Sequence, residues 1–360
     1  MGYVQYFARR ALFLGITLLL ALYTTVVIAN MGGFLDKLLT DQTRYEVNQE
    51  LRRDPNFARC QPTETLSQCY ARQNQTLNDT LSSALEARGL TQPFFQKSIR
   101  LTWDLLTFRL GRSTVITSAS GSYNVGDIVF ERLPRTVLLF TSASFVSAGM
   151  GIWLGLRMAR RALSPLDRGL SVISITTTVV PPWVFGILFI LVFGFWIPIF
   201  PAGNMVSVPA KTGAFAYTID VLYHMMLPLL AVVVSSFGSW SYTTRNLVLQ
   251  IMDEDYVYAA RARGLPEKKI LNRYVLRAAS PPTVTSLALT IIASWQGAII
   301  TETVFNWPGL GRLFFEAITR LDAPVVIGLT AIYAYLLVGT VLILDLIYGL
   351  LDPRVRAIRR

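Results

Sequence analysis

The sequence predicts an all-α integral membrane protein with six transmembrane helices and an external insert between the first two. Three observations predict this. The 360-residue chain is 52% hydrophobic and only 15% charged, whereas soluble domains carry about a quarter charged residues. Its apolar residues gather into six runs of about 20 residues or more, long enough to cross a hydrocarbon core of about 30 Å. The Lys and Arg residues of the short segments between these runs fall almost entirely on one side.

The first run covers residues 11–31, behind Arg9 and Arg10. Its apolar stretch exceeds a signal-peptide core of about 7–15 residues and closes on no small-x-small cleavage site, so it is expected to stay as a helix. The later runs cover residues 133–156, 170–195, 221–249, 283–304 and 325–351, with Pro228 marking a kink in the fourth. With six spans, one side receives Arg9 and Arg10, then Arg157, Arg160, Arg161 and Arg168. It also receives Arg245, Arg261, Arg263, Lys268, Lys269, Arg273 and Arg277, and the tail residues Arg354, Arg356, Arg359 and Arg360. The opposite short loops hold Lys211, Arg312 and Arg320. This bias of 17 to 3 marks the first side, with both chain ends, as cytoplasmic. A miscount by one helix would destroy it. The net charge of +11 thus reflects membrane orientation, and its distribution argues against nucleic-acid binding.

Residues 32–131 then lie outside. They carry 11 basic and 11 acidic residues and are too long for a plain loop, so they are expected to fold. Residues 38–51 and 77–88 read as helical, and Asp54-Pro55 as a break. Cys60 and Cys69 face an oxidising space and are expected to close a short loop by a disulfide. Two glycosylation-like triplets, at Asn74 and Asn78, are too common a pattern to carry an assignment. The expected organisation is a helix at 1–31, an insert at 32–131, a five-helix core at 132–351 and a cytoplasmic tail at 352–360. A loop at 250–281 interrupts the core.

That loop is more elaborate than a helix connection requires. Asp253, Glu254 and Asp255 suit a helix amino end. The Ala-rich stretch 256–263 favours helix, Gly264 is a natural stop, and Pro266-Glu267 fits the first turn of a second short helix. Ile270, Leu271, Tyr274 and Val275 then share one apolar face. Two readings of that face stay open: it lies on lipid headgroups, or it docks into a groove on a cytoplasmic partner. The small residues Ala259, Ala260, Ala262 and Gly264 favour docking, because they permit close backbone approach.

The same stretch resembles the coupling loop of ABC importer permeases, with Ala259, Ala260 and Gly264 in its Glu-Ala-Ala-x-x-x-Gly pattern and Tyr258 in place of the Glu. Asp255-Tyr256-Val257 and residues 260–265 are similar to the dipeptide and oligopeptide branch. So are Gly111-Arg112-Ser113, Glu131-Arg132-Leu133-Pro134, residues 302–312 and Leu351-Asp352-Pro353-Arg354. The resemblance covers the first helix and most of the chain from about residue 105. It implies the type I importer permease fold. It also implies a coupling site for cytoplasmic ATPases at Tyr258, Ala259, Ala260, Arg261, Arg263, Gly264, Leu265, Glu267 and Lys268. The implied partners are a second homologous permease, two ATPase subunits or domains that bind ATP and Mg, an extracytoplasmic solute-binding protein and the lipid bilayer. The implied location is a bacterial or archaeal cytoplasmic membrane. Peptides are the expected cargo, with oligosaccharides or nickel as alternatives.

The segment Glu302, Phe305, Trp307, Pro308, Gly309, Leu310, Gly311 and Arg312 follows the fifth run on the outer side. Trp307-Pro308-Gly309 turns the chain where Trp suits the interface, and Leu310, Leu313, Phe314 and Ile318 suggest a short amphipathic helix. Simple interfacial anchoring explains this as well as the outer gate or binding-protein dock that the resemblance implies. Glu302 and Asp345 stand near opposite ends of spans, and His224 reads as an interfacial polar residue. Gly149, Gly151 and Gly155 either allow close helix packing or reflect ordinary membrane glycine usage.

No phosphate-binding Gly-rich loop of the Walker type is present, so any ATP hydrolysis belongs to another chain. With one His and two Cys, neither a zinc site nor a membrane-embedded catalytic site is expected. No bound cofactor is expected either. A lone ion-coupled transporter would want mid-span carboxylates or inverted repeats, and the sequence offers neither.

Overall fold

The computed structural model describes residues 3–31, 33–54, 57, 60, 65–87 and 90–351. The basic tail at 352–360, with the Asp352-Pro353-Arg354 motif, lies outside the described residues, as do Pro55 and Arg88. Among the described residues the chain is helical nearly throughout, with one isolated β-bridge between Arg112 and Asn124. The helices are α1 (Tyr3–Met31), α2 (Phe34–Arg53), α3 (Leu66–Ala87), α4 (Phe94–Leu106), α5 (Val125–Arg160), α6 (Pro165–Val179) and α7 (Pro182–Phe189). They continue with α8 (Ala214–Met252), α9 (Asp255–Ala262), α10 (Glu267–Ile270), α11 (Leu276–Ser294), α12 (Ile299–Val304), α13 (Leu310–Thr319) and α14 (Ala323–Leu351). Two π-helical segments continue α7 over Ile190–Trp196 and join α10 to α11 over Leu271–Val275.

Among the described residues, five stretches are long and apolar enough to cross a membrane: Ala8–Met31, Val125–Arg160, Ala214–Met252, Glu267–Ser294 and Ala323–Asp345. Counting α6 and α7 as one broken span gives six. Those two helices meet at 97°, which corrects the continuous third run expected from hydropathy. Pro181 and Pro182 supply no backbone N–H, and Val180 before them is extended (φ −83°, ψ 121°), as a residue preceding proline prefers. By contrast α8 runs unbroken through Pro228.

The fifth run is also displaced. It starts at Glu267, passes through the π turn and Pro281-Pro282, and ends at Ser294 rather than Val304. A turn with Gly297 at φ +72° follows, so α12 is a separate helix. The second element of the 250–281 loop is therefore the amino end of a span and not an independent short helix.

Residues 129–316 form most of one unit. Its core gathers Leu139, Phe140 and Ala143 of α5, Val221, Met225, Leu227 and Ala231 of α8, and Phe305 and Trp307. α6 packs along α8 because Gly238 leaves room for the Ser174 carbonyl and the Thr177 hydroxyl. The Ser174 and Ser241 hydroxyls meet at 2.7 Å, and Ser235 donates to the Val180 carbonyl at 2.9 Å. Gly151 and Gly155 face the α8 backbone closely, whereas Gly149 faces open space, so two of the three glycines act in packing. At the start of α6, Ser164 caps the Asp167 N–H. The buried Asp167 carboxylate takes a two-pronged ion pair from Arg245, at 2.6 and 2.7 Å.

Residues 9–128 and 317–335 form the other unit. α2 and α3 pack together, and Lys97 of α4 pairs with Asp36 of α2. The Phe108 and Tyr335 rings stack at 4.4 Å. Asp322, fully buried, accepts from the Ser113 hydroxyl at 2.5 Å and from the Thr114, Val115 and Ile116 N–H groups at 3.0–3.2 Å. Ser113 Oγ in turn accepts from the Ile116 N–H at 2.8 Å. The Gly111-Arg112-Ser113 motif thus opens a backbone nest around a carboxylate.

The Cys60 and Cys69 sulfurs are bonded, and Cys69 is fully buried on α3. Closing so short a loop removes about 3 kcal/mol of unfolded-state freedom in the chain-entropy model. The double substitution Cys60→Ser/Cys69→Ser is therefore expected to speed amide exchange along α3 roughly 100-fold. Unchanged exchange along α3 would show that the bond does not restrain it.

Candidate functional site

The first candidate surface is the turn from α9 through Gly264 into α10. Its apolar side chains are turned inward. Val257, Ala260, Ile270, Leu271 and Val275 are buried against Ala159 of α5 and Val248 of α8, with Leu265 and Tyr274 packed on them. This corrects the expectation for Ile270, Leu271 and Val275, which meet neither headgroups nor a partner groove because the protein's own core takes them, while Tyr274 is partly buried on that core. Ala260 is likewise internal.

What remains outside is a small, basic face. Tyr258 is 53% exposed, and Ala259, Ala262, Arg263, Gly264 and Lys268 are exposed too. Gly264 sits at φ +74° and its N–H closes on the Arg261 carbonyl, a left-handed helix stop that L side chains resist. Arg261 bridges the turn by pairing with Glu267 at 2.9 Å, and its guanidinium lies 5.9 Å from the Tyr258 ring. The Arg261–Glu267 pair thus spans the turn on its exposed side, over the buried cluster that joins α9 and α10.

The second candidate centres on Glu302, a fully buried carboxylate on α12. It accepts from the Thr136 hydroxyl of α5 at 2.9 Å, from the Arg312 N–H at 3.0 Å and from the Gly311 N–H. Thr136 Oγ1 also accepts from the Leu310 N–H at 2.7 Å. A Cβ on Gly309 would overlap the Glu302 carboxylate and the Thr136 hydroxyl, and one on Gly311 would press on the Ile299 backbone. The sequence Gly309-Leu310-Gly311-Arg312 is thus a cradle that only small residues permit. Arg312 itself reaches the Asn306 carbonyl at 2.9 Å and Glu316 at 2.8 Å. Burial pushes the Glu302 carboxyl up to about 7, against hydrogen bonds from Arg312, Thr136 and Gly311 that pull it down.

Trp307 is fully buried and its indole N–H donates to the Arg135 carbonyl at 3.0 Å. The interfacial-anchor reading is corrected: the ring belongs to the core and the turn is pinned by that bond. Phe305 packs against Gly186 of α7, and its carbonyl accepts from the Asn204 N–H at 2.9 Å. Pro308 is half-buried. On α13 Leu310 and Leu313 are buried and Phe314 is half-buried as expected of an amphipathic helix, whereas Ile318, expected on the same face, is exposed.

Sequence reasoning missed three buried carboxylates. Asp167 carries a readable signal, because Ser164-Pro165-Leu166-Asp167 is a capping pattern. Asp322-Ala323-Pro324 reads as a helix start. Asp220 of α8 carries none; it holds the preceding loop through the Ser207 N–H and hydroxyl, both at 2.7 Å, and through Lys211 at 3.4 Å. His224 is also buried, with Nδ1 2.9 Å from the Asp220 carbonyl. On α8 the side chains of Ser239, Tyr242 and Thr243 form an exposed polar stripe at helical spacing inside a span.

Residues 151–357 match the family described as binding-protein-dependent transport system inner membrane component. The chain is 29% identical to the oligopeptide transport system permease protein AppB of Bacillus subtilis, covering 75% of this chain and 83% of that one. It is 28% identical to the dipeptide transport system permease protein DppB of Lactococcus lactis, over 77% and 86%. It is 30% identical to a putative peptide transport system permease protein of Brucella abortus, over 74% and 82%. A chain from the inward-facing MetNI methionine ABC transporter aligns over 64% of this chain and 98% of its own, at a TM-score of 0.41 and 21% identity. The chain belongs to the family of binding-protein-dependent transport system inner membrane components, and it is a permease component of an ABC importer.

Proposed function

We propose that this permease imports di- and oligopeptides as one half of a translocation path. A second homologous permease forms the other half, two cytoplasmic ATPases hydrolyse ATP with Mg, and an external binding protein delivers the peptide. The observation that carries the reading is the α9–Gly264–α10 turn. Its apolar side is buried, leaving Tyr258, Ala259, Arg263, Gly264 and Lys268 as a shallow rigid face suited to an ATPase groove. Peptide cargo is supported by the relatives, which are named for oligopeptide and dipeptide transport. The cation bias supports cytoplasmic chain ends and an external insert. The polar stripe of Ser239, Tyr242 and Thr243 lines the path, because polar side chains within a span face a bundle interior or water rather than lipid. The Glu302 cradle anchors the outer gate.

The test uses the whole transporter in liposomes with its binding protein, reading peptide-stimulated ATP hydrolysis. Gly264→Arg is expected to lower stimulation about tenfold or more, since it combines left-handed strain with a bulky side chain on the docking face. Two further variants separate these causes. Asn tolerates φ > 0 but is larger, while Ala is small but strained. A loss with Asn alone shows close approach by a partner, and a loss with Ala alone shows a backbone requirement. Stimulation by an oligosaccharide or nickel instead of peptide would overturn the cargo, and unaltered stimulation in Gly264→Arg would overturn the coupling surface.

A further inference from the structure

A cleft of about 420 Å³ opens beside the α9 turn, lined by Tyr256, Arg273, Tyr274, Arg277 and Ala278. Arg273 and Arg277 stand one helical turn apart and are both exposed. Neither guanidinium has an ion-pair partner among the described residues, unlike Arg245, Arg261 and Arg312. Tyr256, which also lines it, is 43% exposed, while Tyr274 is packed on the buried cluster. We propose that this cleft binds the phosphate headgroup of an anionic phospholipid.

The position of the cations favours a lipid over a free phosphate. Arg273 and Arg277 lie near the start of the apolar stretch Glu267–Ser294, so they sit at the level of headgroups. Along the same helix, Val284 lies on the face of Arg277 by helical spacing and is 52% exposed, with Pro281 exposed between them. Two guanidiniums followed by an apolar track match a phosphodiester followed by an acyl chain. Guanidiniums bind phosphate oxygens in a two-pronged geometry, the phenol of Tyr256 adds a donor, and basic pockets at the cytoplasmic ends of spans suit such headgroups. The bound lipid would brace the start of α11 against α9, next to the coupling turn.

The test titrates dioleoylphosphatidylglycerol into the assembled, detergent-solubilised transporter, with bound lipid counted by native mass spectrometry. Phosphatidylcholine and inorganic phosphate serve as comparison probes. Arg273→Gln/Arg277→Gln is expected to weaken phosphatidylglycerol retention roughly 30-fold, while Arg161→Gln, an exposed cation of the same side outside the cleft, leaves it unchanged. Arg273→Lys/Arg277→Lys is expected to retain the lipid in part, since charge survives without the planar fork. Co-purification of the partner subunits separates loss of lipid from loss of fold; if the Gln pair fails to assemble, the Lys pair carries the test. Equal retention in wild type and the Gln pair overturns the proposal. So does equal retention of phosphatidylcholine, or displacement by inorganic phosphate at equal concentration. Retention only after the ATPase subunits are stripped away would assign the cleft to the ATPase contact and overturn it too. None of these outcomes depends on which cargo the transporter carries.

Discussion

Glu302→Ala is expected to destabilise the permease by about 3 kcal/mol, because it orphans three aimed donors and empties a packed site. The donors are the Thr136 hydroxyl and the Gly311 and Arg312 N–H groups, aimed at a carboxylate that is fully buried. The loss should appear as a lower midpoint of thermal unfolding in detergent and as faster amide exchange over residues 309–312. Glu302→Asp is expected to fail similarly, since one methylene less leaves the carboxylate short of the Arg312 N–H. The titration of Glu302 gives a second readout. With its carboxyl raised to about 7 from the ordinary 4.5, the folded protein holds a proton that the unfolded chain releases between those values. This group's contribution to stability is therefore largest below about pH 4.5, falls as pH rises through about 7, and then levels off. Glu302→Gln should remove that fall, so the difference in midpoint between wild type and variant should change from about pH 5 to about pH 8. A constant difference would show that the carboxyl does not titrate in this range.

Asp322→Ala is expected to cost the second unit about 3–5 kcal/mol, because it takes the acceptor from several buried neutral donors at ~1–3 kcal/mol each. Four donors converge on this carboxylate: the Ser113 hydroxyl and three consecutive N–H groups. Asp322→Asn keeps the shape but turns an amide donor toward those donors, so it should lie between wild type and Ala. Ser113→Ala removes two bonds, the one it donates to Asp322 and the one it accepts from the Ile116 N–H, while the three N–H groups keep the Asp322 carboxylate, so about 1–2 kcal/mol is expected. Amide exchange at Thr114, Val115 and Ile116 is the direct measure. If exchange at those sites were the same in Asp322→Ala as in wild type, the nest would contribute nothing to holding the segment.

The spans were legible because burial in lipid demands length and apolarity together, and both are local properties of a chain. The helix stop at Gly264 was legible for the same reason: Ala-rich helix, glycine and Pro266 follow one another in sequence. The break between α6 and α7 carried a readable signal in Pro181-Pro182, but hydropathy counts proline in an apolar run without regard to its missing N–H. The end of the fifth span at Ser294 was less readable, since Gly297 marks it only by the φ it adopts.

The membrane class, the number of spans with the bent pair counted once, and the family were legible in the residues alone. Those conclusions rest on composition, cation distribution and short motifs that any fold would have to keep. Which face of each element is used depends instead on packing between distant segments. Ile270 and Val275 look free for a partner until Val248 and Val257 cover them, and Trp307 looks interfacial until the Arg135 carbonyl claims its N–H. Asp322 looks like a helix cap, yet its carboxylate serves a segment some 200 residues earlier, with sequence separations of 206 to 209. Buried carboxylates need donors from wherever the chain can bring them, and the identity of those donors is a property of the fold rather than of neighbouring residues.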